Sequence, residues 1–197
     1  RAAQVIVCQT VAQSQGFRAC FGVEPIVVRS CGDDPIGEAS LRRELAPPPQ
    51  RRILWVGRFA PKKRFEWVLE LAGLCPELAF DVVGDGRDDS DYVMKLKAHA
   101  AQLPNICLHG WLSRNAIGAF YDRAALLLCT SPTEGFPNTF LEAWSRGTPV
   151  VSTVDAGTID LIRSLGGEVC SSADLVQRFE SLVDDEGILS HVRAGEL

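Results

Sequence analysis

The chain has 197 residues, enough for one full domain and part of another, and its 46% hydrophobic and 23% charged residues are ordinary for a globular protein. A net charge of -5 and a pI of about 5.2 speak against a nucleic-acid-binding surface, which is normally basic. No apolar run approaches the roughly 18–20 residues of a membrane span, and the opening RAAQVIVCQT lacks the charged, apolar and small segments of a signal peptide.

In chain order, residues 1–32 read as strand, helix, strand: AQVIVCQT, then QSQGFRACFG, then PIVVRSC. A lone β-α-β unit cannot close a core, so this stretch is expected to be the C-terminal remnant of a preceding domain. The alternative is an extension of the main sheet. Residues 33–52 are polar with three consecutive prolines, which predicts a linker.

From residue 53 onward, short apolar runs alternate with helical patterns. ILWVGRF (53–59) is a strand, and the helix after it places Phe65, Val68, Ala72 and Cys75 on one stripe. LAFDVVGDG (78–86) and NICLHGW (105–111) are strands separated by an amphipathic helix. A second helix, with Ile117, Phe120, Tyr121 and Ala124 in register, leads to ALLLCTS (125–131). After EGFPN come a short helix, the strand TPVVSTV (148–154), another short helix and LGGEVCS (165–171). Six strands, most apolar on both faces and each followed by a helix, predict an α/β fold: a doubly wound, Rossmann-like parallel sheet spanning 53–197.

Seven cysteines, none in a C-x-x-C pair, are expected to be reduced and structural, which favours a cytoplasmic address. Cys107, Cys129 and Cys170 lie in apolar strand-like runs, where a thiol behaves as a small hydrophobe. His99, His109 and His191 show no metal-ligand spacing, so no metal site is expected.

Ligands of open parallel sheets bind beyond the carboxyl ends of the strands. Three such places stand out. Arg58 follows Gly57 at a strand end, with Lys62, Lys63 and Arg64 close behind, and cations beside helix-terminal amides suit a phosphate. Glu134, Gly135, Phe136, Pro137, Asn138 and Thr139 close one strand and open a helix, with Glu142 eight residues beyond Glu134. Asn138 or Thr139 is expected to cap that helix, and Thr139 and Glu142, three apart, share a face. Gly84-Asp85-Gly86 is a third candidate, because glycine lets backbone approach a ligand closely; a plain turn accounts for it equally well. Each of these, taken singly, also fits a solvated loop.

Together, VGRFAPKKR, VVGDG, LHGWLS and SPTEGFPNTFLEAWSRGTPVVST, in this order over about residues 53–175, resemble the C-terminal domain of retaining family 4 glycosyltransferases, the glycosyl transferases group 1 of GT-B architecture. The resemblance implies that Arg58 and Lys63 neutralise the diphosphate of a nucleoside diphosphate sugar and its departing group. Glu142 would hold the nucleotide ribose, and Glu134 would sit by the donor sugar. Gly135 through Thr139 would offer backbone amides to sugar and phosphates, Gly57 and Gly84 would bring backbone to the donor, and Trp111 and Leu112 would wall the nucleobase. The implied reaction moves the sugar to an acceptor hydroxyl with retention, stabilised by electrostatic preorganisation. It needs no cofactor and no metal. Acceptor binding, and any peripheral membrane contact, fall to the missing N-terminal domain, so this chain alone is expected to be inactive.

The sequence departs from the family pattern in three places. Arg64 stands where glycine is usual, Pro137 stands where glycine is frequent, and Ala156-Gly157-Thr158-Ile159-Asp160 replaces G-G-x-x-E. Competing functions are a GT-B nucleotide-sugar epimerase, a glycan phosphorylase and a nucleotide-binding module without catalysis. Against them stand the joint presence of G-R-x4-K with E-x7-E, the lack of a placeable cofactor lysine, and the survival of both cations and both glutamates.

Overall fold

The computed structural model describes residues 5–28, 51–86, 90–132, 134–153, 159–164 and 167–171, together with Asp174, Leu175 and Phe179. The described residues form two separate sheets. Strands β1 (Val7–Cys8) and β2 (Ile26–Val27) pair in parallel around helix α1 (Val11–Phe21). Thr10 and Gln13 form a reciprocal capping box that starts α1, and Gly22, at φ 67°, ends it in the left-handed conformation. The face of this small unit is apolar and open to solvent at Val7, Ile26 and Val28.

The second sheet has six parallel strands: β3 (Arg52–Val56), β4 (Ala79–Val83), β5 (Ile106–Leu108), β6 (Leu126–Cys129), β7 (Val150–Ser152) and β8 (Glu168–Val169). Their spatial order is β5-β4-β3-β6-β7-β8. The order reverses between β3 and β6, which is the topological switch point of a doubly wound sheet. All six expected strands are there. Arg52, expected to end the linker, is already the first residue of β3, because it pairs in register with Ala79. Residues 29–50, which hold most of the expected linker, lie outside the described residues.

Alternation along the strands builds two cores. Ile53, Trp55, Phe80, Leu126 and Leu128 point to one side, against Phe65, Val68 and Ala72 of helix α2 (Phe65–Leu74) and Val93 and Leu96 of α3 (Asp91–Ala100). Leu54, Leu127 and Val150 point to the other side. They meet Ile117 and Tyr121 of α4 (Arg114–Arg123), Phe140 and Trp144 of α5 (Asn138–Trp144) and Ile162 of α6 (Ile159–Ser164). Strands buried on both faces must be apolar at successive positions, which is why their sequences read as continuous runs. No helix among the described residues is long and apolar enough to cross a membrane.

The strand ends come close through glycine. Gly84 has φ 125°, and a Cβ there would lie 1.8 Å from the carbonyl oxygen of Gly57. The ends of β3 and β4 therefore come this close only because Gly84 carries no side chain, whereas a Cβ on Gly57 would meet the Trp55 ring at 2.9 Å.

Candidate donor site at the switch point

A shallow cleft opens at the carboxyl ends of β3 and β6. Its polar lining is Lys63, Thr130, Ser131, Glu134 and Thr139. Lys63 ends a 3-10 turn (Pro61–Lys63) that leaves β3, and Glu134 lies in the loop between β6 and α5. The Lys63 ammonium donates to Glu134 Oε1 across 71 residues of chain. The two sequence elements expected to share a site are thus in direct contact.

Deeper residues fix Lys63. The indole N–H of Trp55 donates to Thr130 Oγ1 (3.0 Å), and that hydroxyl donates to the Lys63 carbonyl oxygen (2.6 Å). Thr130 is 1% exposed. No local pattern signals this relay, since its three members meet only in the folded sheet.

Arg64 takes φ 47° and ψ 50°, closing the 3-10 turn and opening α2. This left-handed position is one that glycine adopts without steric cost. The departure at residue 64 therefore lies where the backbone itself favours glycine, and the Arg64 guanidinium lies 4.5 Å from the centre of the Trp67 ring. Pro137, the other departure, has φ -67° and ψ 122°, which proline satisfies freely. Residues 154–158, which hold most of the third departure, lie outside the described residues.

Helix α5 corrects two expectations, the identity of its cap and the meeting of Thr139 and Glu142 in one pocket. Its N-cap is Pro137, not Asn138 or Thr139, and no side chain caps it. Asn138 and Thr139 occupy the first turn, with Asn138 exposed and Thr139 facing the cleft. Glu142 does not line the cleft. Its Oε2 accepts the hydroxyl of Tyr121 at 2.7 Å, and burial first, then this bond, pushes the Tyr121 phenol above the usual tyrosine range.

The remaining expected residues surround these. Arg58 is exposed and makes no ion pair with any described residue. Trp111 is 79% exposed just beyond the end of β5, while Leu112 packs against the core containing Leu54 and Val83. Asp85 is tied to Lys97 at 2.8 Å, a bond that lowers its carboxyl below the usual range. Gly86 is needed for packing, since a Cβ there would lie 2.5 Å from Val93.

The small N-terminal unit reaches this loop. Gln9 Oε1 accepts the backbone N–H of Phe136 at 3.3 Å, and a Cβ on Gly135 would lie 2.7 Å from that oxygen and 2.9 Å from Gln13 Nε2. Gln13 Oε1 is held in turn by the backbone N–H groups of Gln9 and Thr10.

Sequence reasoning also missed a polar cluster on β4 and β5. Asp81, a charge within an apolar strand, is 2% exposed and bonded to Arg52, His109 and Arg123. A buried charge demands partners, and that was the available signal. Cys107, expected among apolar neighbours, is exposed, because β5 is the sheet edge. Asp81, Cys107 and His109 each place one potential ligand atom within 4.8 Å of the others, but the two guanidinium groups already occupy the carboxylate.

Residues 38–195 match the model of the family described as glycosyl transferases group 1. The chain belongs to this family. Similar curated proteins are named as transferases. The lipopolysaccharide 1,6-galactosyltransferase of Salmonella typhimurium is 31% identical over 172 residues, covering 80% of this chain and 45% of its own length. The GDP-mannose-dependent alpha-mannosyltransferase of Mycolicibacterium smegmatis is 31% identical over 122 residues, covering 62% and 30%. Among solved structures, Anabaena HepE in complex with UDP-glucose superposes with a TM-score of 0.78 at 19% identity over 98% of this chain and 58% of that one. The apo galactosyltransferase WaaB superposes with a TM-score of 0.70 at 25% identity over 96% and 57%. The chain thus spans about half or less of the curated relatives it matches and supplies the α/β sheet of one half of a GT-B fold.

Proposed function

We propose that this chain is the donor-binding part of a retaining, metal-independent glycosyltransferase that takes a nucleoside diphosphate sugar and delivers its sugar to an acceptor hydroxyl. The observation that carries this reading is the pairing of Lys63 with Glu134 beside Thr139, at the switch point of a group 1 family sheet.

A diphosphate entering the cleft meets the Lys63 ammonium and, from the strand end beside it, the exposed Arg58. Both charges favour the leaving diphosphate as it gathers charge, and preorganised cations do so without reorganising at the moment of reaction. Lys63 exchanges its bond to Glu134 for one to phosphate, which frees the Glu134 carboxylate to accept hydroxyls of the transferred sugar. Thr139 adds a hydroxyl donor on the phosphate side. The exposed Trp111 offers a ring face to the base, and Glu142, braced by Tyr121, offers an acceptor to the ribose. The charge work falls to these side chains, so neither a metal nor a cofactor is called for.

The 1–32 unit belongs, in this reading, to an acceptor-side domain that covers its open apolar face, with 33–51 as the hinge and 52–197 as the donor domain. Acceptor choice and any membrane-surface contact lie with that domain, the chain alone turns over no sugar, and the compartment is the cytoplasm. The test is a thermal-shift screen of nucleoside diphosphates and nucleotide sugars, with and without EDTA. A ligand that binds only the folded state raises stability by RT ln(1 + [L]/Kd). A shift from at least one nucleotide, unchanged by EDTA, is expected; no shift from any of them overturns the reading.

A further inference from the structure

The edge of the sheet formed by β4 and β5 carries a second reactive cluster, whose residues Asp81, Cys107 and His109 are not among those lining the β3/β6 cleft. Asp81 and Cys107 are register partners on these strands, and His109 follows two residues after Cys107. The Asp81 carboxylate contacts His109 Nε2 at 2.6 Å, Arg123 Nη2 at 3.0 Å and Nε at 3.2 Å, and Arg52 Nη1 at 3.4 Å. An ionised carboxylate only accepts hydrogen bonds, so the proton of the 2.6 Å bond belongs to Nε2. In the neutral imidazole, Nδ1 is then a bare lone pair, and it lies 3.9 Å from Cys107 Sγ. Phe120 meets the His109 ring edge-on at 4.5 Å, and Arg123 stacks on the same Phe120 at 4.1 Å, which holds the imidazole in place.

This is the arrangement of an activated nucleophile: a thiol, a base whose tautomer is fixed, and a buried carboxylate that fixes it. We propose that Cys107 is a reactive modification site that takes soft carbon electrophiles from solvent, with His109 as its base and Asp81 as the residue positioning His109. With an alkyl halide, the Sγ–carbon bond forms as the carbon–halogen bond breaks, and the halide leaves with the bonding pair. The thiol proton passes to His109 Nδ1. Arg52 on β3 and Arg123 on α4 face the same carboxylate, so the imidazolium shares Asp81 with two cations and passes its proton on to water. The exposure of Cys107 on the edge strand gives the electrophile its path.

The test is substoichiometric alkylation of the whole chain by iodoacetamide, followed site by site with mass spectrometry. Cys20, exposed on α1, is the comparator. Cys107 is expected to react about tenfold faster than Cys20 in the folded chain, a modest share of the hundredfold and more that positioned bases supply in enzymes. The ratio is expected to fall to about one in concentrated guanidinium chloride, where the cluster is gone. His109→Gln is expected to bring Cys107 to the Cys20 rate while leaving Cys20 unchanged. Equal rates for Cys107 and Cys20 in the folded wild type overturn the proposal, as does an undiminished Cys107 rate in folded His109→Gln. If that variant does not fold, the folded and denatured wild-type ratios decide alone.

Discussion

The hydroxyl of Thr130, at the end of β6, donates to the carbonyl oxygen of Lys63 at 2.6 Å while accepting the indole N–H of Trp55 at 3.0 Å. Through this one side chain, the strand after the switch point sets the backbone that carries the cleft's inner cation. Thr130→Val keeps the shape but leaves a buried indole N–H and a carbonyl without their partner. Each such loss costs about 1–3 kcal/mol. Calorimetric unfolding should show a clear drop in Tm for Thr130→Val and a much smaller one for Thr130→Ser. Diphosphate binding should weaken in the valine variant alone.

Arg64 gives a second prediction. Its left-handed backbone costs a non-glycine residue roughly 1–2 kcal/mol, while its guanidinium regains about 0.5–1 kcal/mol on Trp67. Arg64→Ala keeps the strain and loses the stacking, so it should be the least stable of the three proteins. Arg64→Gly removes the strain and should exceed the alanine variant by about 1 kcal/mol in urea unfolding. An alanine variant as stable as the glycine variant would contradict this.

Two glycines expected at the donor site differ in what they tolerate. Gly84→Ala places a Cβ 1.8 Å from a backbone oxygen at φ 125°, which puts it among the substitutions that cost more than about 4 kcal/mol. The Cβ of Gly135→Ala meets only the ends of the Gln9 and Gln13 side chains, which can swing aside. Gly135→Ala should therefore keep a Tm near wild type while breaking the Gln9 bond to Phe136. Gly84→Ala should fail to give a cooperative transition.

Tyr121 and Glu142 make a pH-dependent contribution. The folded phenol titrates above the usual range, through burial and then the Glu142 bond, whereas an unfolded tyrosine ionises near about pH 10. The stabilisation is thus fully present below about pH 10 and is lost as pH rises above it, because the unfolded state gives up its proton first. Tyr121→Phe should be less stable than wild type by about 1–3 kcal/mol at neutral pH. The gap should shrink between about pH 10 and about pH 11 in urea unfolding. A gap that stays constant over that range would contradict the coupling.

What the sequence made legible was what local pattern encodes. Ile53, Leu54 and Trp55 are apolar in succession because β3 is buried on both faces, so the strand could be read without its neighbours. Lys63, Glu134 and Thr139 lie where strands end, and a parallel sheet gathers those ends on one edge. Thr130, Tyr121 and Gln9 were not legible, since each acts through a residue that only folding brings near; Gln9 and Phe136 are 127 residues apart. Cys107 was misjudged for a related reason. Its apolar neighbours mark a strand, but whether that strand is central or at the edge depends on sheet order. The capping of α5 was missed because Pro137 ends the loop in a conformation that Asn138 would otherwise have supplied.

The central claim is that Arg58 and Lys63 form the cationic seat of a nucleoside diphosphate. Isothermal titration calorimetry of the folded chain against uridine, guanosine and adenosine diphosphates tests it most directly, with wild type, Arg58→Ala and Lys63→Ala compared in one buffer containing EDTA. The account predicts one-to-one binding of at least one diphosphate to wild type, weakened in each variant by about 1.5–3 kcal/mol, the range for hydrogen bonds to charged groups. Wild-type binding that both variants match, or no binding of any diphosphate at millimolar concentration, would contradict it.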